Sequence, residues 1–134
     1  MRQSVKRGGI YKWREGMTDE RFVLVVSADS RGTERFITVL MFSSSSNGRD
    51  VVEISYGPLG DSRYVHCGML TYVTRDDMSD QALATVKANT MAYVDRQICT
   101  QLGIVPEDVM AELRFYKRKC DELIEKYTGA RSDI

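Results

Sequence analysis

Residues 20–46, ERFVLVVSADSRGTERFITVLMFSSSS, carry two apolar strands with a turn between them. Phe22 to Ser27 and Phe36 to Phe42 are each apolar along nearly their whole length. Runs of this kind predict strands buried on both faces, or a barrel interior whose outer side is covered by a partner. Asp29-Ser30-Arg31-Gly32 supplies turn chemistry between them. Arg21 opens the first strand, and a hydroxyl cluster from Ser43 closes the second. The pattern can bring a guanidinium and a hydroxyl to one edge of a small barrel, and that pair suits a phosphate.

Outward from this stretch, the chain reads as β up to about Thr74. Gly9 to Trp13 alternates as a short strand, Val51 to Tyr56 as a fourth, and Arg63 to Thr74 is long enough for a strand that bends at Gly68. The polar loop Ser43–Asp50 contains Asn47-Gly48, a strong turn signal, and Gly57–Ser62 is a second loop. Asp77 to Ser79 reads as a turn, and Gln81 to Val86 is ambiguous between strand and helix. From Asn89 the spacing of Met91, Val94, Ile98 and Leu102 predicts a helix that Asn89 can cap and Gly103 ends. Pro106 then starts a second helix with Glu107 and Asp108 in its first turn. Val109, Leu113, Tyr116, Cys120, Leu123 and Tyr127 recur four and three apart on it, a heptad seam that packs on the domain or on the helix of a second copy. Residues from Thr128 read as a tail.

With 134 residues, 43% hydrophobic and 28% charged, the chain is large enough for one core and too small for two. Its 19 basic and 19 acidic side chains cancel, so no overall field marks it as a nucleic-acid binder. The first 75 residues carry 11 Lys/Arg against 8 Asp/Glu and the remainder the reverse, an asymmetry ordinary for solvated surface. Cys67, Cys99 and Cys120 are widely spaced, without a CxxC pair, and the chain has one histidine. They read as reduced, mostly buried thiols of a cytoplasmic protein, not as a zinc site. The first nine residues hold no apolar signal segment, and no run approaches the ~20 residues of a membrane span.

The order of several short segments resembles the MazF/PemK-type toxins of toxin–antitoxin pairs. Arg7-Gly8-Gly9-Ile10-Tyr11 stands for their RGDI start, and Arg21-Phe22-Val23-Leu24-Val25-Val26-Ser27 for RPVLVVS. Ile37-Thr38-Val39-Leu40-Met41-Phe42-Ser43-Ser44 stands for VIVAPITS, and Val52-Glu53-Ile54 for a VEI strand. Asn89-Thr90-Met91-Ala92-Tyr93-Val94-Asp95, leading to Leu102-Gly103-Ile104, is similar to the family's late helix. Phe22 replaces the family's proline, and Gly68-Met69-Leu70-Thr71 stands where an EQIR-like segment is usual. The resemblance implies a mainly β fold with C-terminal helices: a small SH3-like, partly open β-barrel of the MazF/PemK/CcdB type over residues 1–104. An added helix and tail follow over 105–134.

The resemblance also implies metal-independent, cofactor-free cleavage of single-stranded RNA by attack of a ribose 2′-hydroxyl, in a homodimer neutralised by a small antitoxin protein. The family's catalytic positions fall on Arg21 and Ser43, with Trp13, Arg14, Ser44 and Ser45 as candidate RNA contacts. An arginine, with a pKa above about 12, serves better as an electrostatic stabiliser than as a proton donor. The aromatic Trp13, Tyr11, Tyr56 and Tyr64 can stack bases or fill a core. Lone His66 reads as structural. Two other readings stand beside the nuclease: a catalytically inactive interaction module on the same barrel, and a gyrase-directed toxin of the same superfamily.

Overall fold

Two apolar strands, β2 (Arg21–Val25) and β3 (Phe36–Ser43), lie in the middle of a six-stranded antiparallel sheet. The computed structural model describes residues 3–104 and 107–128, with side chains described in 3–104 and 113–126. The remaining strands are β1 (Gly9–Trp13), β4 (Val51–Glu53), β5 (Tyr64–Thr74) and β6 (Ala84–Thr85), in the order β4-β5-β3-β2-β1-β6. The end strands β4 and β6 are not paired to each other, so the barrel stays partly open. Two helices follow, α1 (Ala88–Leu102) and α2 (Glu107–Thr128).

The continuous apolar runs have the predicted cause: both faces of β2 and β3 are buried. On one face Leu24, Leu40 and Phe42 join Ile10, Val65 and Cys67, and α1 lays Met91 and Val94 over them. On the other, Val23, Val25, Ile37 and Val39 pack with Tyr11, Val73, Val5 and Met78. Alternate residues along a strand face opposite sides, so an unbroken apolar run feeds both clusters. Leu24 has no solvent exposure. Leu24→Ala should therefore cost about 3 kcal/mol, read as a lowered urea midpoint without a change in slope.

The bend expected at Gly68 is a bulge. Leu40 pairs with Leu70 but Phe42 with Val65, so β5 spends extra residues between those pairs. Gly8 precedes β1 at φ 83°, where a Cβ would lie 3.3 Å from Met91 of α1. Arg7 pairs with Asp95 of the same helix.

Several expectations shift. The ambiguous segment Gln81–Val86 contributes the two-residue strand β6, paired to Gly9 and Ile10. The fourth strand stops at Glu53, although Ile54 still donates its N–H to the Arg63 carbonyl at 2.8 Å. Asn89 does not cap α1. The helix already begins at Ala88, so the Asn89 carboxamide oxygen sits within the first turn and accepts from the next amide, Thr90, at 2.9 Å. Of the three thiols only Cys67 is buried; Cys99 is half-buried and Cys120 exposed, all free. Burial first, then the carboxylates Asp50 and Asp95, pushes the Cys67 thiol up to about 11.

The chain divides into two compact units, Met1–Leu102 and Gly103–Ile134. In the second, the seam residues Leu113, Tyr116 and Leu123 are exposed along α2, together with Phe115 and Ile124. The expected helix start at Pro106, the side chains of Val109 and Tyr127 and the tail from residue 129 lie outside the described residues.

Candidate active site

One row of cross-strand neighbours holds four of the residues singled out above. Trp13 of β1 lies opposite Arg21 of β2. The β2–β3 register sets Val23 against Met41; continued by two residues, the same alignment brings the end of β2 at Arg21 toward the end of β3 at Ser43. Ser43 pairs with Tyr64 of β5, and Tyr64 with Glu53 of β4. Directly opposed residues of an antiparallel pair share a face. Trp13, Arg21, Ser43, Tyr64 and Glu53 therefore form a line on the face whose deeper part is the Val23–Ile37–Val39 cluster. Trp13 and Met41 close that cluster at its rim.

The guanidinium reaches across to β3, where its Nη2 donates to the Phe42 carbonyl at 2.8 Å. Arg21 is exposed and Ser43 half-buried. The neighbouring cations are matched by carboxylates: Lys12 with Glu20 at 3.4 Å, Arg14 with Asp19 at 2.9 Å and Arg63 with Glu53 at 2.9 Å. Among the described residues Arg21 meets only a neutral carbonyl. Its positive charge is the one left uncompensated in the row, beside a hydroxyl.

The loop before Arg21 is a chain of turns. Arg14 adopts the left-handed φ of 56°, its N–H bonded to the Asp77 carbonyl at 2.8 Å, and Met17 and Glu20 donate back to Arg14 and Met17. The Arg14 guanidinium lies 5.5 Å from the Trp13 ring centre. Glu20 accepts from the Gly16 N–H at 2.8 Å, and that bond first, with Lys12 helping, holds its carboxyl below the usual range. Glu20 thus stays ionised and engaged with its own loop, a weak proton acceptor for chemistry at Arg21. On the other side, Ser43 Oγ accepts the Ser45 N–H at 3.0 Å, a turn that leads from the strand into the exposed Ser44 and Ser45.

Of the aromatic candidates, Trp13 and Tyr64 flank the Arg21–Ser43 pair. Tyr11 is buried in the core, and Tyr56 packs against the other cluster with its hydroxyl near the Leu83 carbonyl, 3.4 Å away. Tyr64, one of the four aromatic candidates of the sequence, is joined to Ser43 by the strand register. Among the described residues no group of three or more His, Cys, Asp or Glu side chains is placed to hold a metal ion.

A separate groove of about 840 Å³ is lined by Arg7, Val26, Phe36, Leu70, Tyr72 and Ile98, among others. It is largely apolar, and Phe36 and Tyr72 meet edge to face at 6.1 Å while remaining exposed. It lies among residues other than those of the arginine–serine row and is suited to a protein surface more than to an anion.

The six-stranded antiparallel, partly open barrel with its C-terminal helix has the fold of MazF endoribonuclease toxins. Solved structures of such proteins match most of this chain. An endoribonuclease from a mycobacterial species aligns with a TM-score of 0.65 at 19% identity, over 79% of this chain and 99% of that one. A MazE–MazF structure from Deinococcus radiodurans aligns at 0.64 and 20%, over 77% and 99%. The Mycobacterium tuberculosis toxin MazF-mt6 aligns at 0.57 and 13%, over 73% and 99%. No protein-family model matches the sequence, and no curated protein matches it either.

Proposed function

We propose that the chain is a toxin-like endoribonuclease that cuts single-stranded RNA by attack of a ribose 2′-hydroxyl on the adjacent phosphate. The observation that carries this reading is the uncompensated guanidinium of Arg21 bonded to the carbonyl of Phe42, the residue before Ser43, with Trp13 paired to Arg21 and Tyr64 to Ser43. During the attack, negative charge builds on the non-bridging oxygens. Arg21 offers them its remaining N–H donors, already oriented by the bond to Phe42, and so needs little reorganisation. Ser43 Oγ donates to a non-bridging oxygen or to the attacking 2′-oxygen. Trp13 and Tyr64 offer ring faces to unstacked bases, with Arg14, Ser44 and Ser45 at the edges. The 2′-hydroxyl loses its proton as the P–O bond forms, and the departing 5′-oxygen gains one. The products are therefore a 2′,3′-cyclic phosphate and a 5′-hydroxyl.

The same reading pairs the chain with a small antitoxin protein. Among the similar structures, an endoribonuclease from a mycobacterial species is in complex with its cognate antitoxin. The enzyme acts on RNA in the cytoplasm; among the described residues no helix is long and apolar enough to cross a membrane. A homodimer covers the apolar groove around Phe36 and Tyr72, and sedimentation at micromolar concentration tests it.

Incubation of the purified protein with a long single-stranded RNA in EDTA, followed by mapping of the fragment ends, tests the activity. Cleavage at defined positions with cyclic-phosphate ends is expected, undiminished by the chelator. Ser43→Ala should slow it about tenfold to a hundredfold, less than loss of the guanidinium, since Ser44 and Ser45 adjoin the same site. An absence of cleavage across varied RNAs would leave the barrel as an interaction module.

A further inference from the structure

The loop that follows Ser43 has no apolar anchor of its own. Residues 44–49 are all exposed, and nothing in SSSNGR can bury itself. One side chain reaches under it. His66 of β5 lies two residues from Tyr64 and on the same face, with its side chain only 14% exposed. Its Nε2 is 3.1 Å from the Ser45 carbonyl oxygen. A carbonyl only accepts, so Nε2 carries the hydrogen and donates it. Its Nδ1 is 3.6 Å from Asp50 Oδ1.

Asp50 is itself fixed. Its Oδ2 accepts the Gly68 N–H at 2.9 Å, and that bond is the first cause holding its carboxyl below the usual range, with the nearby His66 a lesser one. Gly48 passes close over the pair at φ 122°, where a Cβ would stand 3.0 Å from Asp50 Oδ1 and 3.8 Å from His66 Nδ1. Any larger residue would be both strained and pressed against the pair. Hydrogen bonds and one step of the backbone then connect His66 to Arg21. His66 holds the Ser45 carbonyl, the Ser45 N–H holds Ser43 Oγ, and Arg21 holds the Phe42 carbonyl one residue before Ser43.

We propose that His66 is a positioning residue: through its bond to the Ser45 carbonyl it holds the serine loop so that Ser43 Oγ stays fixed beside Arg21. This rests on the nuclease reading for its effect on catalysis, but not for its effect on the loop. The ring does not touch the reacting atoms, because its Nε2 is spent on the carbonyl. What the position requires is a side chain with a donor at the distance of Nε2.

Two polar variants separate that requirement from other roles. In His66→Gln the carboxamide nitrogen comes near the place of Nε2 and can donate to Ser45. In His66→Asn the amide stops near the place of Nδ1 and falls short. Hydrogen exchange of the amides in 43–48 reads the loop without RNA, and steady-state cleavage reads kcat and KM. H66Q should match the wild type within about threefold in both, whereas H66N should raise loop exchange and lower kcat about tenfold with little change in KM. Equal loss of kcat in both variants, with the loop protected in H66Q, would overturn the proposal in favour of proton transfer by the ring. Wild-type loop protection in H66N would also overturn it. If the wild type cleaves no RNA, the nuclease reading fails while the exchange measurement still decides whether His66 anchors the loop.

Discussion

Arg21→Ala is expected to reduce RNA cleavage by about a hundredfold or more while leaving the thermal unfolding midpoint unchanged. The two halves of that outcome have separate causes. The residue is exposed and contributes one hydrogen bond, to the Phe42 carbonyl, at the end of a strand whose packing lies further in. Removing such a side chain usually alters stability by less than about 0.5 kcal/mol. In the transition state, by contrast, it is the only uncompensated charge in its row among the described residues. Loss of one preorganised donor typically costs about 3 kcal/mol of barrier. Arg21→Lys should recover only part of the rate, since an ammonium restores the charge but not the planar fork. Rates with a defined oligonucleotide, alongside calorimetry of the same preparations, measure both halves. Equal cleavage by wild type and Arg21→Ala would assign the activity to another site or to a contaminant.

The second large effect concerns stability and lies far from the chemistry in sequence. Arg75→Met should destabilise the first unit by about 3 kcal/mol, seen as a lower urea midpoint. Arg75 is 7% exposed. Its guanidinium donates to the carbonyls of Ser79 at 3.0 Å, Asp80 at 2.9 Å and Gln3 at 3.2 Å, and lies 5.9 Å from the centre of the Tyr11 ring. Methionine fills much of the volume but satisfies none of these acceptors, each worth about 1 kcal/mol when bonded. The N-terminal segment and residues 79–80 should loosen together, because one side chain ties both.

Arg75 also marks where the sequence stops being readable. An arginine followed by two aspartates reads as surface, and only the three-dimensional meeting of residues 3 and 79–80 makes it a core residue. The middle of the sheet was legible for the opposite reason. Phe22–Ser27 and Phe36–Phe42 carry their burial in local composition, and turn residues separate them. The helix at Met91–Leu102 was legible from its spacing, though not its first residue, because Ala88 and Asn89 are equally compatible with the first turn. For the site, Arg21 and Ser43 stand out in sequence only as strand ends and through the family resemblance. What joins them is register, and the bulge between Val65 and Leu70 shifts the partners of β3 in a way no local pattern announces. His66 is separated from the serine loop by a strand and a second loop, so its meeting with Ser45 had no signal at all. Trp13 could be suspected as an aromatic near the loop, but its place directly opposite Arg21 follows from β1–β2 pairing.

The shared face of the arginine–serine row and the Val23–Ile37–Val39 cluster makes the fold a parity check on its own chemistry. A one-residue insertion in the 26–35 segment that slid β3 by one place would swing Ser43 to the far side of the sheet. The same slip would exchange Ile37 and Val39 for Thr38 and Leu40 beneath it, so the error would be caught as lost stability before it could persist as lost function. A two-residue slip preserves parity and would move Ser43 by about 7 Å along the strand. There the β3–β5 bulge serves as a second check, since it fits one alignment of Leu40 and Phe42 only. Mutations that alter the length of that segment should thus be tolerated where they extend the turn and eliminated where they displace the strand, with no selection on RNA cleavage needed to remove them.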